Sequence, residues 1–203
     1  MSYKKRIMRK LILEEWVSLD GYVADKNGQL DFFTNLTREQ NKYSDADQLK
    51  FLETVDTILL GRKTYELFVD FWPAATTDKE VIADKLNALK KIIFSNSITE
   101  APWGEWPSAE VISGEATTAI QKLKSLPGKN MVLWGSISLA QSLMKENLID
   151  EYHIQLCPVL TGGGRSLFSQ EMNYHQLRLL ETRSYNAGTV FLSYEPANSI
   201  KNP

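Results

Sequence analysis

Apolar positions in this chain fall into short runs, separated by longer stretches in which they recur at helical spacing. Residues 11–17 open the series as a strand, and an irregular polar stretch follows from residue 18 to about residue 37. Between residues 46 and 55 the apolar spacing is that of one helix face, with Ser44 or Asp45 as its cap. Thr57-Ile58-Leu59-Leu60 is a continuous apolar run ending on Gly61, the pattern of a strand buried on both faces. The same reading predicts a helix over 65–69, broken by Phe71-Trp72-Pro73, and another over 78–89. Strands follow at 91–94 and 109–112, then a helix over 115–126 closed by Pro127-Gly128, a strand at 131–134 and a helix over 136–146. A strand at 152–157 and a hairpin, 176–182 with 189–194 around Asn186-Ala187-Gly188, complete the chain.

Alternating strands and helices predict an α/β fold: a mostly parallel sheet covered by helices on both faces, in three layers α/β/α, with an antiparallel hairpin at one edge. No repeat and no low-complexity linker interrupts the 203 residues, so we expect one domain over 1–203. Hydrophobic residues at 43% are enough for a core, and a formal charge of −2 offers no footprint for a nucleic-acid backbone. The basic cluster Lys4-Lys5-Arg6 with Arg9-Lys10 reads as a solvated N-terminal tail. No apolar run approaches the ~20 residues of a membrane span, and Glu14-Glu15 stop the one apolar stretch that could pass for a leader. A cytoplasmic location is expected by default. The single cysteine, Cys157, excludes an internal disulfide, and with two histidines it makes no zinc site; it reads as a buried strand residue. His153 and His175 read as structural.

Ligands of such sheets bind beyond the carboxyl ends of the strands. Three strand ends carry small or hydroxyl residues directly before a helix or turn. In Leu60-Gly61-Arg62-Lys63-Thr64 a buried strand runs into a glycine and a helix starts at once, so backbone, free N–H groups, Arg62 and the Thr64 hydroxyl can meet an anion. The alternative is a cap and turn with a surface arginine. Phe94-Ser95-Asn96-Ser97 is either a phosphate nest or a plain turn. Trp134-Gly135-Ser136 is the third junction, and three together point to a nucleotide diphosphate lying across them. Thr161-Gly162-Gly163-Gly164-Arg165 fails the G-x-G-x-x-G pattern. Ser18-Leu19-Asp20-Gly21 after the first strand is a turn, or places Asp20 toward a polar substrate.

Taken in order, Ser18-Leu19-Asp20-Gly21-Tyr22-Val23-Ala24, Gly61-Arg62-Lys63-Thr64-Tyr65-Glu66, Trp134-Gly135-Ser136, Leu148-Ile149-Asp150-Glu151 and Pro158-Val159-Leu160-Thr161-Gly162-Gly163-Gly164-Arg165-Ser166-Leu167-Phe168 resemble the dihydrofolate reductase-like superfamily, and within it the RibD C-terminal family, the reductase domain of bacterial riboflavin synthesis. The resemblance runs over residues 11–194. It implies a central sheet of about eight strands with NADPH across the carboxyl ends. Gly61, Arg62 and Thr64 would hold phosphates, Ser95 and Asn96 would sit by the adenosine 2′-phosphate and ribose, and Gly135 and Ser136 would approach the pyrophosphate through a cis peptide. Residues 20–32 would form the loop over the nicotinamide, with Asn27 and Gly28 as its hinge. No metal is implied.

The same resemblance implies an NADPH-dependent reductase acting on a pyrimidine- or pterin-like small molecule, with 5-amino-6-(5-phosphoribosylamino)uracil reductase as the nearest named activity. Dihydrofolate reductase and a non-catalytic nucleotide-binding module are the alternatives. The zinc set of the deaminase half of that pathway is missing, and Trp134 stands where riboflavin reductases have a glutamate. For the acid the candidates are Asp20, Asp31, Asp45 and Asp47. We rank Asp20 first for substrate contact, as a group on rigid sheet, and Asp45 second as the pterin-type carboxylate, where it competes with the capping role. A homodimer through the 152–158 strand and the hairpin is expected, with Phe168, Phe191 and Tyr194 exposed.

Overall fold

The structure is a computed structural model that describes residues 8–34, 38–169, 172 and 174–197; the basic residues Lys4, Lys5 and Arg6 lie outside these. In chain order it contains β1 (Leu11–Ser18), β2 (Tyr22–Ala24), α1 (Asp31–Thr34), α2 (Arg38–Leu52), β3 (Val55–Gly61) and α3 (Arg62–Val69). A 3-10 turn (Trp72–Ala74) leads to α4 (Ala83–Ala88), β4 (Lys90–Phe94), β5 (Ala101–Trp103), β6 (Trp106–Ile112) and α5 (Ala116–Ser125). The chain continues through β7 (Asn130–Trp134), α6 (Ile137–Lys145), β8 (Glu151–Cys157), β9 (Arg165–Ser166), β10 (Leu177–Ser184) and β11 (Val190–Pro196). Among the described residues no helix is long and apolar enough to cross a membrane.

Nine strands form one sheet in the order β10-β11-β8-β1-β7-β3-β4-β6-β5. The six central strands are parallel, while β11 and β10 at one edge and β5 at the other run antiparallel. A separate pair, β2 with β9, lies over the carboxyl end of β1. The period of two along each strand divides the core. In β3, Ile58 and Leu60 join a cluster with Leu52 of α2, Tyr65 of α3 and Leu86 of α4, whereas Leu59 joins the cluster of α5 and α6 with Ile120, Ile137, Ala140 and Leu143. β7 splits the same way, Val132 and Trp134 against Met131 and Leu133. The expected three layers are present. Burying each such Leu or Ile contributes about 1.5–3 kcal/mol, so this alternation fixes which face every strand residue serves.

Local departures have local causes. α2 starts at Arg38, well before the apolar spacing begins, so Ser44 and Asp45 lie inside the helix and not at its N-cap. Apolar periodicity marks only the part of a helix that packs, and a polar leading half escapes it. The helix expected over 78–89 is confined to Ala83–Ala88, because Lys79 and Glu80 donate back to the Thr76 carbonyl and Ala83 to the Glu80 carbonyl in separate turns. β5 was not anticipated: Pro102 stands inside it, which is tolerated because β5 is the edge strand.

Candidate active site

The sheet order sets the carboxyl ends of β1, β7, β3 and β4 side by side, which brings the three junctions singled out in the sequence together. Two of them interlock. The Gly61 N–H donates to Ser136 Oγ at 2.7 Å, the Ser136 N–H donates to Thr64 Oγ1 at 2.8 Å, and Ser136 Oγ donates to the Trp134 carbonyl at 3.0 Å. A Cβ on Gly135 would stand 2.8 Å from Thr64 Cγ2 and 2.9 Å from Thr64 Oγ1, so only glycine lets β7 end this close to α3. The cis link expected between Gly135 and Ser136 is not found, since among the described residues no peptide bond is cis. Instead two successive left-handed residues, Gly135 at φ 54° and Ser136 at φ 57° and ψ 41°, turn the chain into α6.

Neither α3 nor α6 has a side-chain cap at its N-terminus, although both begin at this joint. Unsatisfied first-turn amides carry the positive end of the helix dipole and attract anions. Arg62 is tied to Glu66 at 2.5 Å on the surface of α3. At the end of β4, Ser95 Oγ accepts the Ser97 N–H at 3.1 Å, and Asn96 Oδ1 accepts the Gly114 N–H at 2.7 Å, which joins the ends of β4 and β6.

Asp20 has a different part from the one its sequence position suggests. Its Oδ1 accepts from Ser18 Oγ at 2.7 Å and the Thr161 N–H at 3.1 Å, and its Oδ2 accepts from the Gly162 N–H at 2.8 Å. The Ser18 hydroxyl, followed by the two amides, holds its pKa down at about 2. A carboxylate so engaged keeps no proton to give near neutrality. It staples the 161–165 loop to the β1–β2 turn, and Gly163 and Gly164 of that loop allow close packing against residues 24–26. At Gly164 (φ 140°) an added Cβ would fall 2.0 Å from the Ala24 carbonyl oxygen. The stretch 20–32 carries an ordered turn in which Asp25 Oδ1 accepts the N–H groups of Asn27 and Gln29 at 2.7 and 2.8 Å.

The carboxyls that sequence reasoning passed over are Glu14 and Glu15 in the middle of β1. Glu14, 5% exposed, faces α2: the Trp134 indole N–H donates to its Oε2 at 2.6 Å and Gln48 Nε2 of α2 donates to the same oxygen at 2.8 Å. Burial pushes its pKa up, against the opposing pull of His153 and the two donors. Glu15 points to the opposite face, toward the Gly135 amide and Arg165. Burial, then the charge of Glu14, push it well above the ordinary range, and its Oε1 has no partner. The signal was present as two adjacent glutamates inside an otherwise apolar strand, where it served only to exclude a leader.

Asp45 lies three residues before Gln48 on α2, so both stand on the same side of that helix, and Asp45 is half-buried. Asp47 is bound by Arg183 at 2.6 Å and by the Tyr185 hydroxyl at 3.1 Å. On the same face of the sheet β8 presents His153, which packs on Phe51 and Phe191, and Gln155, whose buried Oε1 has no partner. Thr189 Oγ1, just before β11, is also buried and unpartnered. Phe191, expected on the surface, is 6% exposed, because it turns inward against His153 and under Arg183.

A family model described as the RibD C-terminal domain matches residues 9–191. The chain is 31% identical over 189 residues to the uncharacterized protein YyaP of Bacillus subtilis (strain 168), covering 92% of this chain and 94% of that one. Among solved structures it is similar to a putative riboflavin biosynthesis protein from Shewanella sp. PV-4, with 26% identity, a TM-score of 0.74 and coverage of 92% and 98% of the two chains. Dihydrofolate reductase from Enterococcus faecalis, complexed with NADP(H), shares the fold at 13% identity with a TM-score of 0.59, over 93% of this chain and 96% of that chain.

Proposed function

Because the chain belongs to the RibD C-terminal domain family, we propose that it is a cytoplasmic, NADPH-dependent reductase that delivers hydride to a pyrimidine- or pterin-like substrate. The observation that carries this reading is the interlocked pair of junctions, where α3 and α6 start side by side without side-chain caps. Two adjacent helix N-termini with a glycine at each strand end suit the two phosphates of a dinucleotide. In this reading Gly61 and Gly135 give the backbone its close approach, and Thr64 and Ser136 hold the two junctions in register. Arg62 supplies a charge, while Ser95 and Asn96 line the end that takes the adenosine ribose and its 2′-phosphate. Bound NADPH supplies the hydride; the chain positions the partner molecule, excludes water and manages the proton.

The substrate would lie between α2 and the β1–β8 face, with Asp45 of α2 as a binding carboxylate. That face is polar, with Glu14, His153 and Gln155 on neighbouring strands, so it suits a small heterocycle with hydrogen-bonding edges. Fluorescence titration of the purified protein with NADPH and with NADH tests the reading, followed by NADPH consumption in the presence of dihydropterins and aminouracils. Binding of NADPH at least about tenfold tighter than NADH, the worth of one charge-assisted contact, is the expected result. Failure to bind either dinucleotide removes the reading.

A further inference from the structure

A strand interior is an expensive place for a carboxyl, and among the described residues β1 keeps Glu14 there hydrogen-bonded to two neutral donors. Both N–H groups converge on Oε2, so a proton on this carboxyl sits on Oε1. The titratable groups on the elements around it are His153 of β8, the adjacent Glu15 of β1 and, on the Gln48 side of α2, Asp45; Gln48 itself and the Trp134 indole of β7 are uncharged. Two residues further along the same face, one strand over, the Gln155 Oε1 is buried without a donor. Strand rise and spacing put that step at roughly 8 Å, about the width of a fused two-ring heterocycle. A proton donor and an empty acceptor at this separation fit a ligand that offers an acceptor atom at one end and an N–H at the other.

We propose that Glu14 is the catalytic acid of this site, that Trp134 and Gln48 position it, and that Gln155 selects substrates with a lactam N–H. The proposal rests on the reductase reading above. As hydride reaches the carbon of a C=N bond from the dihydronicotinamide, the nitrogen takes the proton from Glu14 Oε1. Glu14 is left as a carboxylate and water reprotonates it between turnovers. One hydride and one proton have then been added across the bond, and the nicotinamide leaves in its oxidised form. The assignment also gives Trp134 a role, since its indole N–H holds a glutamate of the neighbouring strand.

The first arm of the test needs neither cofactor nor substrate. Protein labelled with carbon-13 at the glutamate carboxyls is titrated by NMR, with Glu14→Gln and Glu15→Gln assigning the two buried groups. A Glu14 signal that stays in the protonated position in neutral buffer supports the proposal, and an ionised Glu14 overturns it. The second arm follows NADPH consumption with 7,8-dihydropterin, which has a reducible C=N bond and a lactam edge. Glu14→Gln is expected to lower kcat by about 10²-fold, the loss typical of general acid catalysis, with NADPH affinity retained and partial rescue in Glu14→Asp. Gln155→Leu is expected to raise KM about tenfold, as for one lost hydrogen bond. Full kcat in Glu14→Gln overturns the assignment even if Glu14 is protonated. A wild-type protein that binds no NADPH overturns the reductase reading instead, and the NMR result then stands by itself.

Discussion

Replacing Gly135 by alanine tests the joint on which the cofactor reading depends. The added Cβ meets Thr64 Cγ2 at 2.8 Å and Oγ1 at 2.9 Å, both well inside contact distance, and the backbone there has φ 54°. The left-handed conformation costs a non-glycine residue about 1–2 kcal/mol. Pushing Thr64 aside breaks its hydrogen bond from the Ser136 N–H, worth about 1 kcal/mol. With residual overlap the sum is about 2–4 kcal/mol, and for a chain of 203 residues this lowers Tm by about 5–15 °C. Thr64→Ala removes both offending atoms and leaves Thr64 Cβ, at 3.4 Å, as the nearest neighbour. In that background Gly135→Ala should cost only the backbone strain. Urea unfolding of wild type, both single variants and the double variant gives the coupling, which we expect at about 1–2 kcal/mol in favour of the double variant. Additivity within about 0.5 kcal/mol would show that Gly135 and Thr64 do not meet as described. NADPH titration of Gly135→Ala is expected to show weakened binding, as the two helix starts are forced apart.

Arg62→Ala should cost NADPH about tenfold in affinity and leave NADH nearly unchanged; equal losses for both dinucleotides would place Arg62 away from the 2′-phosphate. Asp20 has its folded pKa lowered from 3.8 to about 2, so the stability it contributes is present above pH 3.8 and is lost as pH falls through about 2. The Tm difference between wild type and Asp20→Asn should therefore be constant near neutrality and vanish across that acid window; a difference that persists below it refutes the staple. A twofold dimer remains our expectation, not through β8, which lies inside the sheet between β11 and β1, but through the exposed edge strand β10, where a bulge leaves both Leu179 (48%) and Leu180 (40%) outward, and through Phe168. Light scattering that gives a monomer at micromolar concentration would exclude it.

Much of this was legible in the sequence because it depends on local rules. The apolar runs ending at Gly61, Phe94 and Trp134 specify buried parallel strands by their shortness and their flanking residues, and a glycine or a cluster of small polar residues at their ends marks where ligands approach. The resemblance to the family was carried by two of those junctions, at Gly61 and Trp134, in order with the segments 18–24, 148–151 and 158–168. What the sequence did not determine is whatever depends on the neighbouring strand. That Gly61 and Ser136, 75 residues apart, share a hydrogen bond follows only from β3 lying beside β7. Asp20 looked like an acid because its turn does not reveal that the amides of Thr161 and Gly162, over 140 residues away, close on its oxygens. Phe191 looked exposed until β11 turned it against His153. Glu14 and Glu15 are indistinguishable as letters; the pleat sends one toward Trp134 and Gln48 and the other toward Gly135, and burial then changes the chemistry of both. Periodicity sets which residues share a face, but the desolvation and donors that decide a carboxyl's proton come from elements distant in sequence, and only the tertiary structure brings them together.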